Sequence, residues 1–316
     1  MLLQSVVFLC GLIVLYVGAE WLIKGAASVA LRYGIRPLVV GLTVVALGTS
    51  MPEFVVNLIA AFQNEDSIAL GNILGSNICN IALILGMSAL VVPLVVRPET
   101  LRKEYPIMMG ALLLFYFVAL DGEISQLDGL FLLGGLVLFL VFLILDARRY
   151  TRVAPMRDGA APDKGGALRK VFYVLGGIVA LAAGAHLMVD AAIFFAQRLG
   201  VDPMVVGLTV VAIGTSLPEL AASLVGAVRK EMDMSVGNVL GSNLLNVLFV
   251  VGLVSVVQPL HVDATSLVIH FPVMLGFSLF LFPLMWTSFR ITRFEGGVLV
   301  LSFLAYLGYI IQPYVT

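Results

Sequence analysis

The chain has 316 residues, of which 61% are hydrophobic and 12% are charged, and its mean hydropathy is +1.09. A soluble domain carries about twice that charged fraction, so the composition excludes a separate soluble domain and indicates an integral membrane protein. The formal net charge of −1 says little about partners other than the lipid bilayer, and no nucleic acid is expected among them.

Ten apolar segments follow one another along the chain, each close to the length of about 20 residues that spans a bilayer as a helix. They are continuous runs, unlike the short alternating strands of a membrane barrel. The first lacks a basic start and a cleavage signal, so it is interpreted as a span and not as a signal peptide. The predicted spans are residues 3–22, 37–62, 68–93, 104–120, 127–146, 171–190, 203–228, 234–258, 265–285 and 295–313.

The basic residues predict the orientation. Residues 147–170 combine seven Lys and Arg with several Gly and Pro, which is typical of a flexible linker between residues 1–146 and 171–316. Basic loops stay cytoplasmic, and placing this linker inside brings every Lys and Arg except Arg198 to the same side. We therefore predict a multi-pass protein of the cell (inner) membrane, with a cytoplasmic linker and both termini extracytoplasmic.

The same motif occurs in both halves of the chain. Residues 41–93 and 207–259 align without a gap at a constant offset of 166 (219 minus 53), and each copy contains GTSxPE followed by GNxxGSNxxN. The second and seventh spans are five positions apart in the order of spans, an odd number, so the two copies enter the membrane from opposite sides. The predicted fold is therefore an all-α integral membrane protein with ten transmembrane helices in two inverted-topology five-helix repeats, an architecture of many secondary transporters.

The GTSxPE segment predicts a broken helix that carries oxygen ligands. Pro52 removes a backbone donor and disfavours helical geometry, so carbonyls near Ala46 and Thr49 are expected to lack intrahelical partners. Such groups are tolerated in a membrane only where they line a cavity or bind something. With the hydroxyls and Glu53 they form an all-oxygen set, which suits Ca²⁺ and Na⁺. The segment that ends at Glu219 repeats the arrangement.

Glu53 and Glu219 need a counter-charge at membrane depth. An ionised carboxylate there costs about 2.5–3.5 kcal/mol on insertion scales, and the ten-span arrangement leaves no Lys or Arg at that depth. A structural role for one buried Glu remains an alternative, but two in identical contexts favour a shared site. Protons and metal ions are left as the counter-charge.

The second motif presents polar groups on one helix face. Ser76 and Asn80 are four residues apart and share a face, as do Ser242 and Asn246. Glycines at the same spacing allow close helix packing. The motif resembles a phosphate-binding loop only superficially, because it lacks the lysine and a preceding strand. Four further asparagines are ligands or braces, with bracing favoured: Asn72, Asn77, Asn238 and Asn243.

The paired motifs resemble the calcium/cation antiporter superfamily, above all its prokaryotic sodium/calcium exchangers, over essentially the whole chain. The resemblance implies a central four-helix core that holds the ions, with the first and sixth helices sliding past it. It implies ion ligands at Thr49, Ser50, Glu53, Ser76, Asn80, Thr215, Ser216, Glu219, Ser242 and Asn246, joined by the backbone carbonyls of Ala46 and Ala212. Many of these exchangers have Asp where this chain has Asn246, so the predicted site has two formal acids.

The functional hypothesis is Na⁺/Ca²⁺ exchange by alternating access, with no enzymatic activity and no cofactor. The main alternative is an H⁺/cation exchanger, since two close carboxylates can share a proton. A channel is a second alternative, which the inverted halves disfavour. An intramembrane hydrolase that uses Ser50 or Ser216 is a third, but no base lies within reach in the sequence pattern. The oligomeric state stays open.

Overall fold

The computed structural model describes residues 2–153, 167–199 and 212–315, and nearly all of them are helical. The helices are α1 (Leu2–Tyr33), α2 (Pro37–Thr49), α3 (Met51–Phe62), α4 (Asp66–Val91), α5 (Pro98–Arg102), α6 (Glu104–Ala119), α7 (Gln126–Val153), α8 (Ala167–Arg198), α9 (Ala212–Thr215), α10 (Leu217–Val228), α11 (Met232–Val257), α12 (Ser266–Ser288) and α13 (Arg293–Val315).

Seven helices in the described part of the chain are long and apolar enough to cross a membrane, and α2 with α3, bent by 46°, forms an eighth candidate span. Helix α6 has 16 residues, which is about 24 Å of helix, and α10 has 12 residues. The predicted span 203–228 lies partly outside the described residues. The protein is thus a multi-pass helical membrane protein, while the count of ten spans stays a prediction.

Three helices are longer than predicted at the ends of their spans. Helix α1 continues past residue 22 to Tyr33, because no proline follows Lys24 before Gly34 and three alanines there favour the helix. It ends at Gly34, whose φ of +62° and the 3.0 Å bond from Ile35 N to Ala30 O form a Schellman motif. Helices α7 and α8 extend into both ends of the predicted linker 147–170, of which residues 154–166 lie outside the described part.

Helices α1 and α8 pack with their backbones in contact. A Cβ atom on Gly18 would lie 2.6 Å from the Leu181 nitrogen, and one on Gly184 would lie 2.5 Å from the Leu15 nitrogen. Only glycine fits at such distances, and small residues are the usual means by which membrane helices approach closely. The two helices therefore form one tightly joined pair.

The centre of the molecule is formed by α4 and α11. They are the most buried of the candidate spans, with 78% and 83% of their apolar windows inside the protein. Helix α2 lies directly against α11, where a Cβ on Gly41 would be 2.5 Å from the Met234 oxygen and one on Gly237 would be 2.5 Å from the Leu38 oxygen. This contact joins the first half of the chain to the second.

Four two-residue strands also join the halves, which the all-α prediction missed. Strand β1 (Leu94–Val95) pairs antiparallel with β4 (Arg290–Ile291), and β2 (Glu123–Ile124) pairs with β3 (Leu260–His261). Pairs this short carry no alternating pattern that a sequence could reveal. They connect the loops at the helix ends.

A buried ionic cluster fixes the start of α2 to two other helices. Arg36 donates to Glu104 Oε1 and to Asp146 Oδ2, both at 2.8 Å, and Lys103 also pairs with Asp146. The Arg36 side chain is only 6% exposed, although it is predicted to lie near the cytoplasmic surface. The first turn of α2 is thereby held against the start of α6 and against the C-terminal part of α7, which contains Asp146.

Candidate cation-binding site

Both copies of GTSxPE interrupt a helix at the same residue type, as the prolines predict. Ser50 has φ −83° and ψ 6°, and Ser216 has φ −88° and ψ 5°, values that lie outside the α-helical region. Glu53 and Glu219 fall in the first turns of α3 and α10. The positive end of a helix dipole stabilises a negative side chain there, so each break supplies a favourable position for a carboxylate.

The expectation of an unpaired carbonyl at Ala46 is wrong. Its oxygen accepts from Ser50 N at 2.9 Å and lies 3.3 Å from Thr49 Oγ1, because the chain keeps helical geometry up to Thr49 and breaks one residue later. A cation at this oxygen would have to displace the Thr49 hydroxyl. Ala212 begins α9 at the edge of the described residues, and its carbonyl remains a predicted ligand.

The serines of each motif contact the glutamate of the other motif. Ser50 Oγ donates to Glu219 Oε1 at 2.9 Å, and Ser216 Oγ donates to Glu53 Oε1 at 3.4 Å. Each serine also contacts the helix that follows the opposite glutamate, with Ser50 Oγ 3.2 Å from Ser242 Oγ and Ser216 Oγ 3.3 Å from Ser76 Oγ. The motifs therefore build one joint cluster in which each serine crosses to the other half.

The asparagines of the second motif lie at widened turns of α4 and α11. Asn80 starts the π-helical turn Asn80–Leu85, and Asn246 starts the π-helical turn Asn246–Val251. Such turns are frequent at functional sites. Asn80 Nδ2 donates to Asn243 Oδ1 at 2.9 Å, and among the described residues no donor reaches the Asn80 oxygen.

Four buried oxygen atoms of the predicted side-chain ligands lack a hydrogen-bond partner among the described residues. A buried polar atom without a hydrogen-bond partner costs free energy unless a bound ion or water satisfies it. These atoms are Oε2 of Glu53, Oε2 of Glu219, Oδ1 of Asn80 and Oδ1 of Asn246. Two are carboxylate oxygens and two are amide oxygens, so the unsatisfied set consists of ligands that hard cations prefer.

The two threonines contact asparagines of the opposite half. Thr49 Oγ1 is 3.3 Å from Asn238 Oδ1, and Thr215 Oγ1 is 3.2 Å from Asn72 Oδ1. Asn238 also donates to Ser223 Oγ at 2.9 Å and to Glu219 O at 3.3 Å. These contacts support the interpretation of Asn72 and Asn238 as braces that hold the two threonines.

Sequence reasoning missed the buried Asn57, one turn after Glu53. Its Nδ2 donates to Glu53 O at 2.6 Å, and its Oδ1 is unpartnered within the described structure. The position equivalent to Asn57 in the second half is Ser223, so the two motifs brace their glutamates differently. The spacing of four residues from Glu53 was the available signal, because it puts Asn57 on the same helix face.

The charge of the site is confined to two carboxylates. Within the described residues, both hydrogen-bond to hydroxyl groups through Oε1, and no cluster of three or more His, Cys, Asp or Glu is placed to hold a metal ion. Thiolate and imidazole ligands suit transition metals, whereas carboxylate, hydroxyl and amide oxygens suit hard cations. The donor set therefore fits Na⁺ or Ca²⁺ as a substrate.

Comparisons with known proteins agree on one family. The family model described as sodium/calcium exchanger protein matches the chain twice, over residues 3–145 and 170–312. The inner membrane protein YrbG of Escherichia coli is 37% identical, covering 90% of each chain. The sodium/calcium exchanger MaX1 of Methanosarcina acetivorans is 32% identical, covering 95% of this chain and 96% of that one.

A solved structure extends the similarity to the fold. The structure of the sodium-calcium exchanger NCX_Mj soaked with 2.5 mM Na⁺ and 0.1 mM Ca²⁺ superposes with a TM-score of 0.81 at 30% identity, covering 98% of each chain. The family is one of membrane exchangers and not of enzymes. The doubled motif, the helical fold and these matches show that the chain belongs to the sodium/calcium exchanger protein family of the calcium/cation antiporter superfamily.

Proposed function

We propose that this protein exchanges Na⁺ for Ca²⁺ across the membrane by alternating access. The observation that carries the proposal is the pair of contacts from Ser50 to Glu219 and from Ser216 to Glu53. They bring two carboxylates from distant parts of the chain into one buried cluster. Each carboxylate keeps an oxygen without a partner among the described residues, which supports a divalent substrate held jointly by both.

The ligand roles follow from the positions of the oxygen atoms. Glu53 and Glu219 ligate Ca²⁺ together, and the hydroxyls beside them complete its shell. Na⁺ uses overlapping oxygens of the same cluster, so that occupation by one ion excludes the other. The full ligand set is Thr49, Ser50, Glu53, Ser76 and Asn80 with Thr215, Ser216, Glu219, Ser242 and Asn246, together with the Ala46 and Ala212 carbonyls.

The charge of the empty site explains why ion exchange should be coupled, with no uncoupled leak of either ion. Two ionised carboxylates without a cation carry a charge of −2, and charges are expensive at membrane depth. The conformational change between outward and inward access is therefore favourable only with Ca²⁺ or Na⁺ bound. Each crossing of the protein then carries an ion, and the two ions must move in opposite directions.

Alternating access needs two halves that exchange roles. The family model matches residues 3–145 and 170–312 separately, which supports inverted five-helix halves of 1–146 and 171–316 with ten spans in total. The basic residues support an inner-membrane protein with a cytoplasmic linker 147–170 and both termini outside. In this arrangement the joined pair α1 and α8 slides against the core that carries the site.

The experiment that tests the proposal is uptake of ⁴⁵Ca²⁺ into proteoliposomes. Vesicles loaded with Na⁺ are compared with vesicles loaded with K⁺ or choline at matched pH. Uptake that requires the outward Na⁺ gradient is the expected result. Equal uptake with all three internal cations would refute sodium coupling.

An H⁺/cation exchanger is the second candidate, and one observation favours it. The Oε2 atoms of Glu53 and Glu219, which have no hydrogen-bond partner in the described part of the chain, can each carry a proton as well as ligate a metal ion. The same vesicles distinguish the two. Ca²⁺ uptake driven by a pH gradient without Na⁺ would establish proton coupling in place of sodium coupling.

A further inference from the structure

The two helical hairpins that carry the glutamates, α3 with α4 and α10 with α11, turn in the same way. Asn64 and Lys230, which are equivalent at the offset of 166 (230 minus 64), both have a positive φ, of +57° and +63°. Glu65 N donates to Ala60 O at 2.9 Å, and the equivalent bond of the second hairpin is 2.8 Å. Positions 57 and 72 of the first hairpin therefore correspond in space to positions 223 and 238 of the second.

In the second hairpin, Asn238 makes two hydrogen bonds within its own half of the chain. Its Nδ2 donates to Ser223 Oγ at 2.9 Å and to Glu219 O at 3.3 Å. Its Oδ1 lies 3.3 Å from Thr49 Oγ1 of the other half. Asn238 therefore contacts Thr49 from a position that its own hairpin fixes.

In the first hairpin, an asparagine stands where the second has a serine, and the hydrogen bonds differ. Asn57 Nδ2 donates to Glu53 O at 2.6 Å and so takes the backbone acceptor that the asparagine of the other hairpin uses. Asn57 Oδ1 and Asn72 Nδ2 are buried atoms without a hydrogen-bond partner in the described part of the chain. Asn72 thus contacts Thr215 of the other half, while no side chain of its own hairpin braces it among these residues.

The two threonine–asparagine contacts also differ in exposure. Thr49 and Asn238 are fully buried, whereas Thr215 and Asn72 are half-buried. Asn72 lies in the second turn of α4, which begins at Asp66 on the side predicted to be extracytoplasmic. The Thr215–Asn72 contact is therefore the more open of the two, and it lies towards the predicted outer face.

We propose that Asn57 is a positioning residue that makes the Thr215–Asn72 side of the ion site the one that opens more readily. A buried donor without a partner costs free energy, so Asn72 loses little when it leaves Thr215. The opposite contact, which Asn238 braces, stays closed. An unequal cost of opening biases the two access states, and this consequence rests on the proposed function.

The hydrogen-bond difference is tested without transport, by thermal melting of the full chain in detergent. A K⁺ buffer without Na⁺ or Ca²⁺ removes any contribution of ion binding to stability. Asn57→Ser makes the first hairpin equivalent to the second, so Asn72 Nδ2 should gain the new hydroxyl and Glu53 O as acceptors. In this background, Asn72→Ala should lower the melting temperature by several degrees, as much as Asn238→Ala does in the wild type. An equally small effect of Asn72→Ala in both backgrounds would overturn the proposal.

The effect on access is measured in right-side-out and inside-out membrane vesicles, as the KM for Ca²⁺ at each face in sodium-dependent ⁴⁵Ca²⁺ transport. A braced Asn72 should reduce the population that is open to the outside. Asn57→Ser should therefore raise the extracytoplasmic KM several-fold and lower the cytoplasmic KM. Ser223→Asn, the matched change in the second hairpin, should release Asn238 and move both KM values in the same directions.

A control separates this bias from a general loss of stability. Ser278→Ala removes a buried hydroxyl that donates to Met274 O within α12, so it should lower the melting temperature and leave the ratio of the two KM values unchanged. An unchanged or inverted ratio in Asn57→Ser would overturn the positioning role of Asn57.

The two measurements distinguish this proposal from the proposed function. If Asn72→Ala becomes costly in the Asn57→Ser background but no vesicle shows sodium-dependent ⁴⁵Ca²⁺ transport, the bracing role of position 57 stands and the proposed function fails. If transport depends on sodium but the ratio of the KM values does not change, the positioning role fails and the function stands.

Discussion

Glu53 and Glu219 carry the whole formal charge of the candidate site, so their neutral amides test it most directly. Glutamine keeps the size of the side chain and one oxygen, but it removes the charge that holds a divalent ion. We expect Glu53→Gln and Glu219→Gln each to lower sodium-dependent ⁴⁵Ca²⁺ uptake by at least about 100-fold, the loss that follows when about 3 kcal/mol of ligand interaction is removed.

The control for these variants is Glu123→Gln, which removes an exposed carboxylate on β2 and should transport normally. Gel filtration of each purified variant establishes that the fold is retained. Wild-type uptake by a folded Glu53→Gln or Glu219→Gln protein would show that the two carboxylates do not form the calcium site.

The residue type at position 246 determines whether the site contains two carboxylates or three. Two carboxylates neutralise one Ca²⁺ or two Na⁺, so the wild type should exchange two Na⁺ per Ca²⁺ without net charge movement. Asn246→Asp adds a third carboxylate and should permit a third Na⁺, which makes uptake sensitive to a K⁺/valinomycin diffusion potential. Asn80→Asp, at the equivalent position, is the matched comparison. Voltage-dependent uptake by the wild type would contradict the expected stoichiometry.

Asn238 and Asn72 are equivalent in sequence but not in contacts. Asn238 is fully buried and makes three hydrogen-bond contacts, whereas Asn72 is half-buried and its Nδ2 has no partner among the described residues. At about 1 kcal/mol per bond, Asn238→Ala should cost about 3 kcal/mol of unfolding free energy and Asn72→Ala about 1 kcal/mol. Thermal melting in detergent compares the two variants. Equal losses of stability would show that the difference in contacts between Asn238 and Asn72 does not affect folding stability.

At this scale the sequence predicts which residue types meet but not which atoms pair. The doubled motif indicates a shared site for Glu53 and Glu219, and both glutamates do join one cluster. That Ser50 donates to Glu219 depends on how two distant segments pack, which no local pattern encodes. Pro52 predicts an unpaired carbonyl at Ala46, but the helix continues to Thr49, so this carbonyl accepts a hydrogen bond from Ser50 N.

The α1–α8 pair shows at the scale of elements how glycine spacing sets helix packing. A Cβ on Gly18 would lie 2.6 Å from a backbone nitrogen of α8, and overpacking of this kind costs about 1–3 kcal/mol. We expect Gly18→Ala to lower the melting temperature by several degrees. Gly110→Ala on α6 is the control, since no described atom lies within 4 Å of its added Cβ and alanine favours the helix.

If Gly18→Ala melted like Gly110→Ala, the backbones of α1 and α8 would not be in close contact. Both glycines lie in the interior of apolar helices, but Gly18 is buried against α8 whereas Gly110 is exposed. A measurement of ⁴⁵Ca²⁺ uptake on the same samples adds a functional readout. If the pair moves as a unit, uptake should fall together with stability.

Element types were predictable from apolar length, while element ends were not. The apolar run predicts a first span that ends at residue 22, yet helix α1 continues to Tyr33, because a charged residue such as Lys24 at a membrane surface does not break a helix. Its end at Gly34 needs a positive φ, which glycine supplies. The ion cluster of Arg36, Glu104 and Asp146 joins residues more than 60 positions apart, so spacing gave no sign of it.

The whole-molecule arrangement rests on the distribution of basic residues, which is a property of the sequence alone. Placing the linker 147–170 inside puts every Lys and Arg except Arg198 on the cytoplasmic side, and the matches of the family model to both halves support a repeated unit. The predicted orientation therefore follows from charge, and labelling of loops on the two sides of the membrane tests it.

Cysteine labelling decides the orientation of the chain. Residues 10 and 79 are the cysteines of the sequence, and replacing both with serine gives a background without thiols. In this background, Glu99→Cys lies between the third and fourth predicted spans, and Glu123→Cys lies between the fourth and fifth; both positions are exposed. A membrane-impermeant maleimide on intact spheroplasts should label Glu123→Cys and leave Glu99→Cys unlabelled until the membrane is permeabilised.

Labelling in the opposite order would mean that the chain is inserted upside down, and labelling of both positions in intact cells would mean that residues 104–120 do not cross the membrane. The second outcome would also make the separation of the two repeats in the order of spans even, and the inverted halves on which alternating access depends would have to be abandoned.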